Sequence, residues 1–189
     1  MTETSRQRRA DARRNVESLL EAAKAVFATS GVDAPAKEIT DRAGVGVGTL
    51  YRHFPQRSDL VLAVLEREID ACAEAGPALS AANPPAAALV RWIQRYTELV
   101  ATKLGLASAL QSADAAHQAL RTYVYQRMVP VLDAMIEAAA AAGEIRTDVG
   151  AADLMHAVAL LCQPVPGEPP DYGRHLVEIF VDGLRHRED

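Results

Sequence analysis

Cysteine is almost missing from this 189-residue chain, which has Cys72 and Cys162 and nothing between them that would pair by spacing. That excludes a disulfide framework and a cysteine zinc site, and it fits a reducing compartment. Aromatic residues make up only 5%, and proline and glycine gather in clusters, which argues against a sandwich or barrel. Nowhere do about 18 consecutive apolar residues occur, so no membrane-spanning helix is expected, and the basic stretch from Met1 to Arg14 is not followed by the apolar segment of a signal peptide. The expected protein is soluble, uncleaved and cytoplasmic.

Catalytic and metal signatures are lacking too. The five histidines form no i, i+4 pair beside a carboxylate, and no nucleophile elbow or Walker loop is present. Gly44, Gly46 and Gly48 suggest a nucleotide loop, but Thr49 and Tyr51 stand where the dinucleotide pattern needs its last glycine, and a helical pattern precedes them instead of a strand. No cofactor, no metal and no enzymatic activity are therefore expected.

What the chain does have is 49% hydrophobic residues with abundant alanine, enough for a helical core without covalent staples. Its charge is uneven. The formal total is -5, yet residues 1–60 hold 10 Lys and Arg against 8 Asp and Glu, and residues 61–189 hold 10 against 17. One end suits phosphates and the other does not.

Hydrophobic periodicity predicts an all-α chain of about nine helices. Val16, Leu19, Leu20, Ala23, Val26 and Phe27 draw one stripe from Asn15 to the stop at Gly31. A short helix over 36–43 follows Pro35, then a glycine turn, then a helix over 47–54 that Pro55 ends. Ser58 is the expected N-cap of a fourth helix reaching the breaker Gly76-Pro77. Beyond it come helices over about 86–103, 106–112, 115–142 with a kink at Pro130, 151–162 with Asp148 as cap, and 172–186 after a proline-rich loop.

The segment Ile39-Thr40-Asp41-Arg42-Ala43-Gly44-Val45-Gly46-Val47-Gly48-Thr49-Leu50-Tyr51-Arg52-His53-Phe54 closely resembles the DNA-binding signature of the TetR family of bacterial repressors. The likeness extends from about Asn15 to Ala71. It implies a basic N-terminal arm over 1–14, a helix-turn-helix DNA-binding domain over 15–57 with its motif at 35–54, a linking helix over 58–76, and a ligand-binding and dimerisation domain over 77–189. Thr40 stands where the family more often has alanine, and a bond from its hydroxyl back along its own helix is expected.

Spacing by four turns Leu50 and Phe54 inward and leaves Val47, Thr49, Tyr51, Arg52 and His53 outward or to the sides. Gly48 and Thr49 are small, so a duplex can come close. The resemblance implies phosphate contacts for Tyr51, His53 and Arg57, and places Val47, Gly48, Thr49 and Arg52 nearest the bases. Arg52 suits either a base edge or a phosphate, and Lys37 is either a phosphate contact or an ordinary exposed lysine. The arginines of the arm are either a backbone or minor-groove contact or a solvated tail.

Trp92, Tyr96 and Leu99, and Tyr125, Met128 and Leu132, recur at helical spacing, as core or as the lining of a cavity. The family resemblance implies an inducer site among these middle helices, for a small apolar or amphipathic ligand. The last two helices are apolar on more than one face, and the resemblance makes Leu154, Val158, Leu161, Leu176, Ile179, Phe180 and Leu184 a homodimer interface. The implied function is a repressor released from a near-palindromic, double-stranded operator by that ligand. The competing readings are a DNA-binding regulator without effector and a ligand-binding helical protein that has lost DNA binding.

Overall fold

The computed structural model describes residues 3–106 and 114–185. In chain order its helices are α1 (Glu3–Ser30), α2 (Ala36–Ala43), α3 (Val47–His53), α4 (Arg57–Ala82), α5 (Pro85–Leu106), α6 (Asp114–Ala141), α7 (Ala151–Leu161) and α8 (Tyr172–Asp182). Among the described residues there is no strand, only an isolated bridge between Ile145 and Arg185. The all-α expectation stands, with eight helices among the described residues against about nine expected; most of the short helix expected over 106–112 falls outside the described residues, and Leu106 itself closes α5. The backbone divides into two units, 1–67 with 105–117 and 68–104 with 118–189. The boundary falls within α4, between Arg67 and Glu68.

The first unit is a head built on the apolar stripe of α1. Leu19, Ala23, Val26 and Phe27 are buried, as are Ile39 of α2, Leu50 and Phe54 around α3, and Leu60, Val61 and Val64 at the start of α4, all within this unit. The first helix does not wait for Asn15: the backbone is helical from Glu3, so the segment expected to be a separate arm continues α1. Thr40 is buried, and its hydroxyl donates to the Lys37 carbonyl at 3.1 Å, one turn back, as its position predicted.

In the second unit, Ile69, Leu89, Trp92, Ile93, Met128, Leu132, Leu154 and Val158 are almost wholly inaccessible. The expected stop at Gly76-Pro77 is overridden, and α4 runs on to Ala82 with Pro77 inside it. Proline removes one helical donor, but contacts at this level hold the chain in register. The indole N–H of Trp92 donates to the Cys72 carbonyl at 3.0 Å, and a methyl group at Gly76 would lie only 2.2 Å from Val131 of α6. As expected over 115–142, α6 is one long helix, with Pro130 inside it.

Two caps also differ from expectation. Gln56, not Ser58, precedes α4, and the Asp59 carboxylate reaches back to accept the Gln56 N–H at 2.9 Å, half of a capping box. Asp148 caps nothing. Its carboxylate takes both the Nε and a terminal nitrogen of Arg146 at 2.5 and 2.6 Å, and Gly150 opens α7 without a side-chain cap. The last helix ends at Asp182, earlier than the expected 186.

Candidate nucleic-acid interface

The interface begins with a helix that stops abruptly. Gly44 takes φ 69°, ψ 29°, a left-handed conformation that side chains disfavour, and Val45 N–H bonds back to Thr40 O at 3.1 Å. Two residues later Gly46 is extended, and α3 starts at Val47. The helix lasts seven residues because Pro55 holds Phe54 at φ -132°, ψ 83°, outside the helical region.

Such a short helix has no stability of its own and survives by packing. Leu50 and Phe54 are buried, as their spacing predicted. The opposite side is open: Tyr51 is 53% exposed and Val47 39% exposed. Arg52, His53 and Gly48 are exposed too, and Thr49 is half-buried. No acidic residue lies on α3, and Arg52 and His53 occupy its last turn, where the helix dipole favours positive charge.

Gly48 is informative for what surrounds it. A methyl group there would meet nothing within 4 Å, and its backbone is not left-handed. The head does not require a glycine, although glycine inside a helix costs about 1 kcal/mol relative to alanine.

Arg57, for which a phosphate contact is expected, has partners within the head: its guanidinium donates from both terminal nitrogens to the carbonyls of Val32 and Ala34, in the link between α1 and α2. It also lies over the Phe27 ring at 5.9 Å. Lys37 is exposed on α2 and pairs with Asp41 one turn on at 2.5 Å. An exposed pair of this kind is weak enough to open for a competing anion.

The six residues considered for a ligand cavity are core or nearly so. Trp92, Tyr96, Leu99, Met128 and Leu132 are buried, with the Trp92 and Tyr96 rings stacked at 5.8 Å and 12°. Tyr125 is half-buried, and its hydroxyl bonds the Nε2 of His156 on α7. None of the six lines either of two surface clefts of the second unit. Burial pushes the Cys72 thiol up to about 12 and raises the Tyr96 phenol well above its ordinary value. On the surface, Asp70 of α4 accepts from the Tyr123 hydroxyl at 2.8 Å and from Arg127 Nε at 2.6 Å, and that hydrogen bond raises the Arg127 pKa.

The expected dimer residues divide as well. Leu154, Val158 and Leu184 are buried within the chain, whereas Leu161, Leu176 and Phe180 are half-buried and Ile179 is 57% exposed. Leu160, omitted from the expected set, is 72% exposed, the most open large apolar side chain among the described residues, and Val165 of the following loop is also exposed. The sequence showed apolar residues on two faces of α7, but not which face turns inward.

Comparison with known proteins agrees with this arrangement. Residues 19–64 match the model of bacterial regulatory proteins of the tetR family, and residues 84–186 match that of the SbtR-like transcriptional regulator C-terminal domain. A TetR transcriptional regulator from Streptomyces coelicolor is 34% identical with a TM-score of 0.72, covering 92% of this chain and 99% of that one. A TetR transcription regulatory protein from Mycobacterium vanbaalenii is 32% identical with a TM-score of 0.74, covering 94% and 99%. An HTH-type transcriptional regulator of Staphylococcus aureus (strain USA300) is 40% identical over 63 residues, 33% of this chain, and the match spans about a third of that relative's length, 34%. No described helix is long and apolar enough to cross a membrane. With both halves of the chain matched and the outward face of α3 free of acidic residues, the protein belongs to the TetR family of DNA-binding transcriptional regulators.

Proposed function

We propose that the chain is a homodimeric repressor that grips a near-palindromic operator with α3 of each copy and is released by a small apolar or amphipathic molecule. The observation that carries the DNA contact is the outward face of α3. Tyr51, Arg52 and His53 project from it, and the bare backbone at Gly48 has a steric use only for something outside the chain. Tyr51 and His53 bond phosphates, Val47, Gly48 and Thr49 lie against base edges, and Arg52 takes a guanine or a phosphate. Lys37 exchanges Asp41 for a phosphate. Arg57 shapes the head from within.

The paired copies meet through the exposed apolar side chains of α7, α8 and their loop, Leu160, Val165 and Ile179 foremost. A two-fold pair presents two α3 helices to two half-sites, hence the palindrome. An effector that prefers a pairing in which the two helices miss successive grooves loosens DNA by its differential affinity.

Selection of bound sequences from random duplex DNA tests the reading. Two inverted half-sites are expected, with affinity falling steeply as salt rises. If no sequence is enriched, the regulator reading fails in both its ligand-responsive and effector-free forms, leaving the ligand-binding alternative. If a sequence is enriched but no compound releases it, the effector-free regulator is correct.

A further inference from the structure

The second unit carries a groove of about 490 Å³ between α5 and α8, to which neither composition nor helical spacing had pointed. Its apolar floor is half-buried Val90 with the nearly closed-off Ile93 of α5 and Val177 and Val181 of α8, and the other six lining residues are polar or charged. At Val90 and Val181 it adjoins a second cleft of about 630 Å³, bounded by Leu89, Ile145 and Leu184. No aromatic residue lines either cleft. The apolar side chains of the α5–α8 groove are all branched aliphatic, which suits a flexible hydrocarbon chain and offers a flat ring nothing to stack on.

Charge at the rim is one-sided. Glu98 projects from α5, and Glu178 and Asp182 from α8, against the single cation Arg174. Asp182 is partly satisfied by Arg185 at 3.7 Å and Glu178 by a long contact to His175 at 4.0 Å. Glu98 has no ion pair among the described residues. Thr97, the remaining buried hydroxyl, is committed to the Ile93 carbonyl at 2.8 Å and adds no donor to the groove.

We infer that this groove binds an amphipathic organic cation, an aliphatic chain lying on Val90, Ile93, Val177 and Val181 with its ammonium or amidinium group among Glu98, Glu178 and Asp182. The apolar walls supply affinity with each methylene buried, and the carboxylates select the sign of the head group. The site would house the effector of the repressor proposed above. Only its influence on DNA rests on that reading, since occupancy of the groove is measurable without DNA.

The test uses the whole protein and three probes of equal chain length, n-octylammonium, n-octanoate and 1-octanol, with binding followed by calorimetry. Saturable binding of octylammonium is expected, roughly fivefold tighter than octanoate, the advantage appropriate to partly exposed charges. The double variant Glu98→Gln, Glu178→Gln removes that preference while 1-octanol binds as before. Gln94→Trp, at an exposed position on the groove, blocks all three without disturbing the core. Equal or tighter binding of octanoate, no saturation, or binding indifferent to Gln94→Trp overturns the inference. So does a change of oligomeric state in Gln94→Trp, which would make the groove a contact with a second copy. If octylammonium occupies the groove but leaves the selected duplex bound, the site stands and its effector role falls. If no duplex is enriched, the regulator reading falls and the calorimetry still decides the groove.

Discussion

Arg57 lies above the ring of Phe27 while its two terminal nitrogens donate to Val32 O and Ala34 O. One side chain thus fastens the start of α4 to the end of α1 and to the link that leads into α2. Replacing it with methionine keeps the stem over the ring and removes both bonds. Arg57→Met should cost roughly 1–3 kcal/mol, the range for hydrogen bonds from a charged group, read as a lower urea midpoint. Were Arg57 chiefly a phosphate ligand, stability would stay constant and the salt dependence of DNA binding would fall by about one unit.

Gly48→Ala should have opposite effects on folding and binding. The added methyl meets no atom of the chain, and alanine in a helix gains roughly 0.5–1 kcal/mol over glycine. The selected duplex should nevertheless bind more weakly, because the methyl stands where the DNA backbone or a base edge must approach. Undiminished affinity in this variant would remove the principal support for the proposed placement of α3.

Arg52→Ala distinguishes two kinds of contact. If the guanidinium reads a guanine, the variant loses about 1–3 kcal/mol on the selected duplex and becomes tolerant at one base position. If it holds a phosphate, all sequences weaken alike and the salt slope shrinks by about one. A variant that binds every duplex like the parent would place Arg52 outside the interface.

Leu160→Glu and Ile179→Glu, at positions 72% and 57% exposed, should yield folded monomers in sedimentation experiments. Leu154→Ala, one helical turn or more away and buried, should instead lower stability by about 2–5 kcal/mol and leave the fold's association surface in place. Dimers that persist in both charged variants would move the interface elsewhere.

Alkaline pH should weaken the fold before it affects its arginines. Burial raises the Cys72 thiol from 9.0 to about 12 and raises the Tyr96 phenol above 10.0. In that range the folded chain keeps protons that the unfolded chain releases, so stability is complete below pH 9.0 and declines as pH climbs toward about 12. Denaturation midpoints measured across this interval should fall, and Cys72→Ala should flatten the early part of the fall. A pH-independent midpoint would contradict the burial of both groups.

Much of the head was legible because local chemistry decided it. Glycine, proline and a spacing of four fix where α2 and α3 begin and end, and turn Leu50 and Phe54 to the core and Tyr51 away from it. The remainder depended on partners distant in sequence. Nothing near Pro77 announces that Trp92 and Val131 will hold α4 together at that level. Nothing near Arg57 reveals two carbonyls more than twenty residues earlier. The stripe Trp92, Tyr96 and Leu99 has the same spacing whether it faces other side chains or an enclosed space, and the structure adds that all three are buried. The groove between α5 and α8 was invisible for the same reason, since a cavity is a relation between helices and leaves no periodic mark.

Two turns of helix cannot hold their shape unaided, so whatever loosens Leu50, Phe54, Ile39 or Arg57 should abolish the proposed DNA contact as thoroughly as altering Tyr51 or Arg52. If the chain is the proposed repressor, a genetic hunt for derepressed strains would return both classes mixed together. Only the level of folded protein in each strain would tell a broken scaffold from a blunted reader.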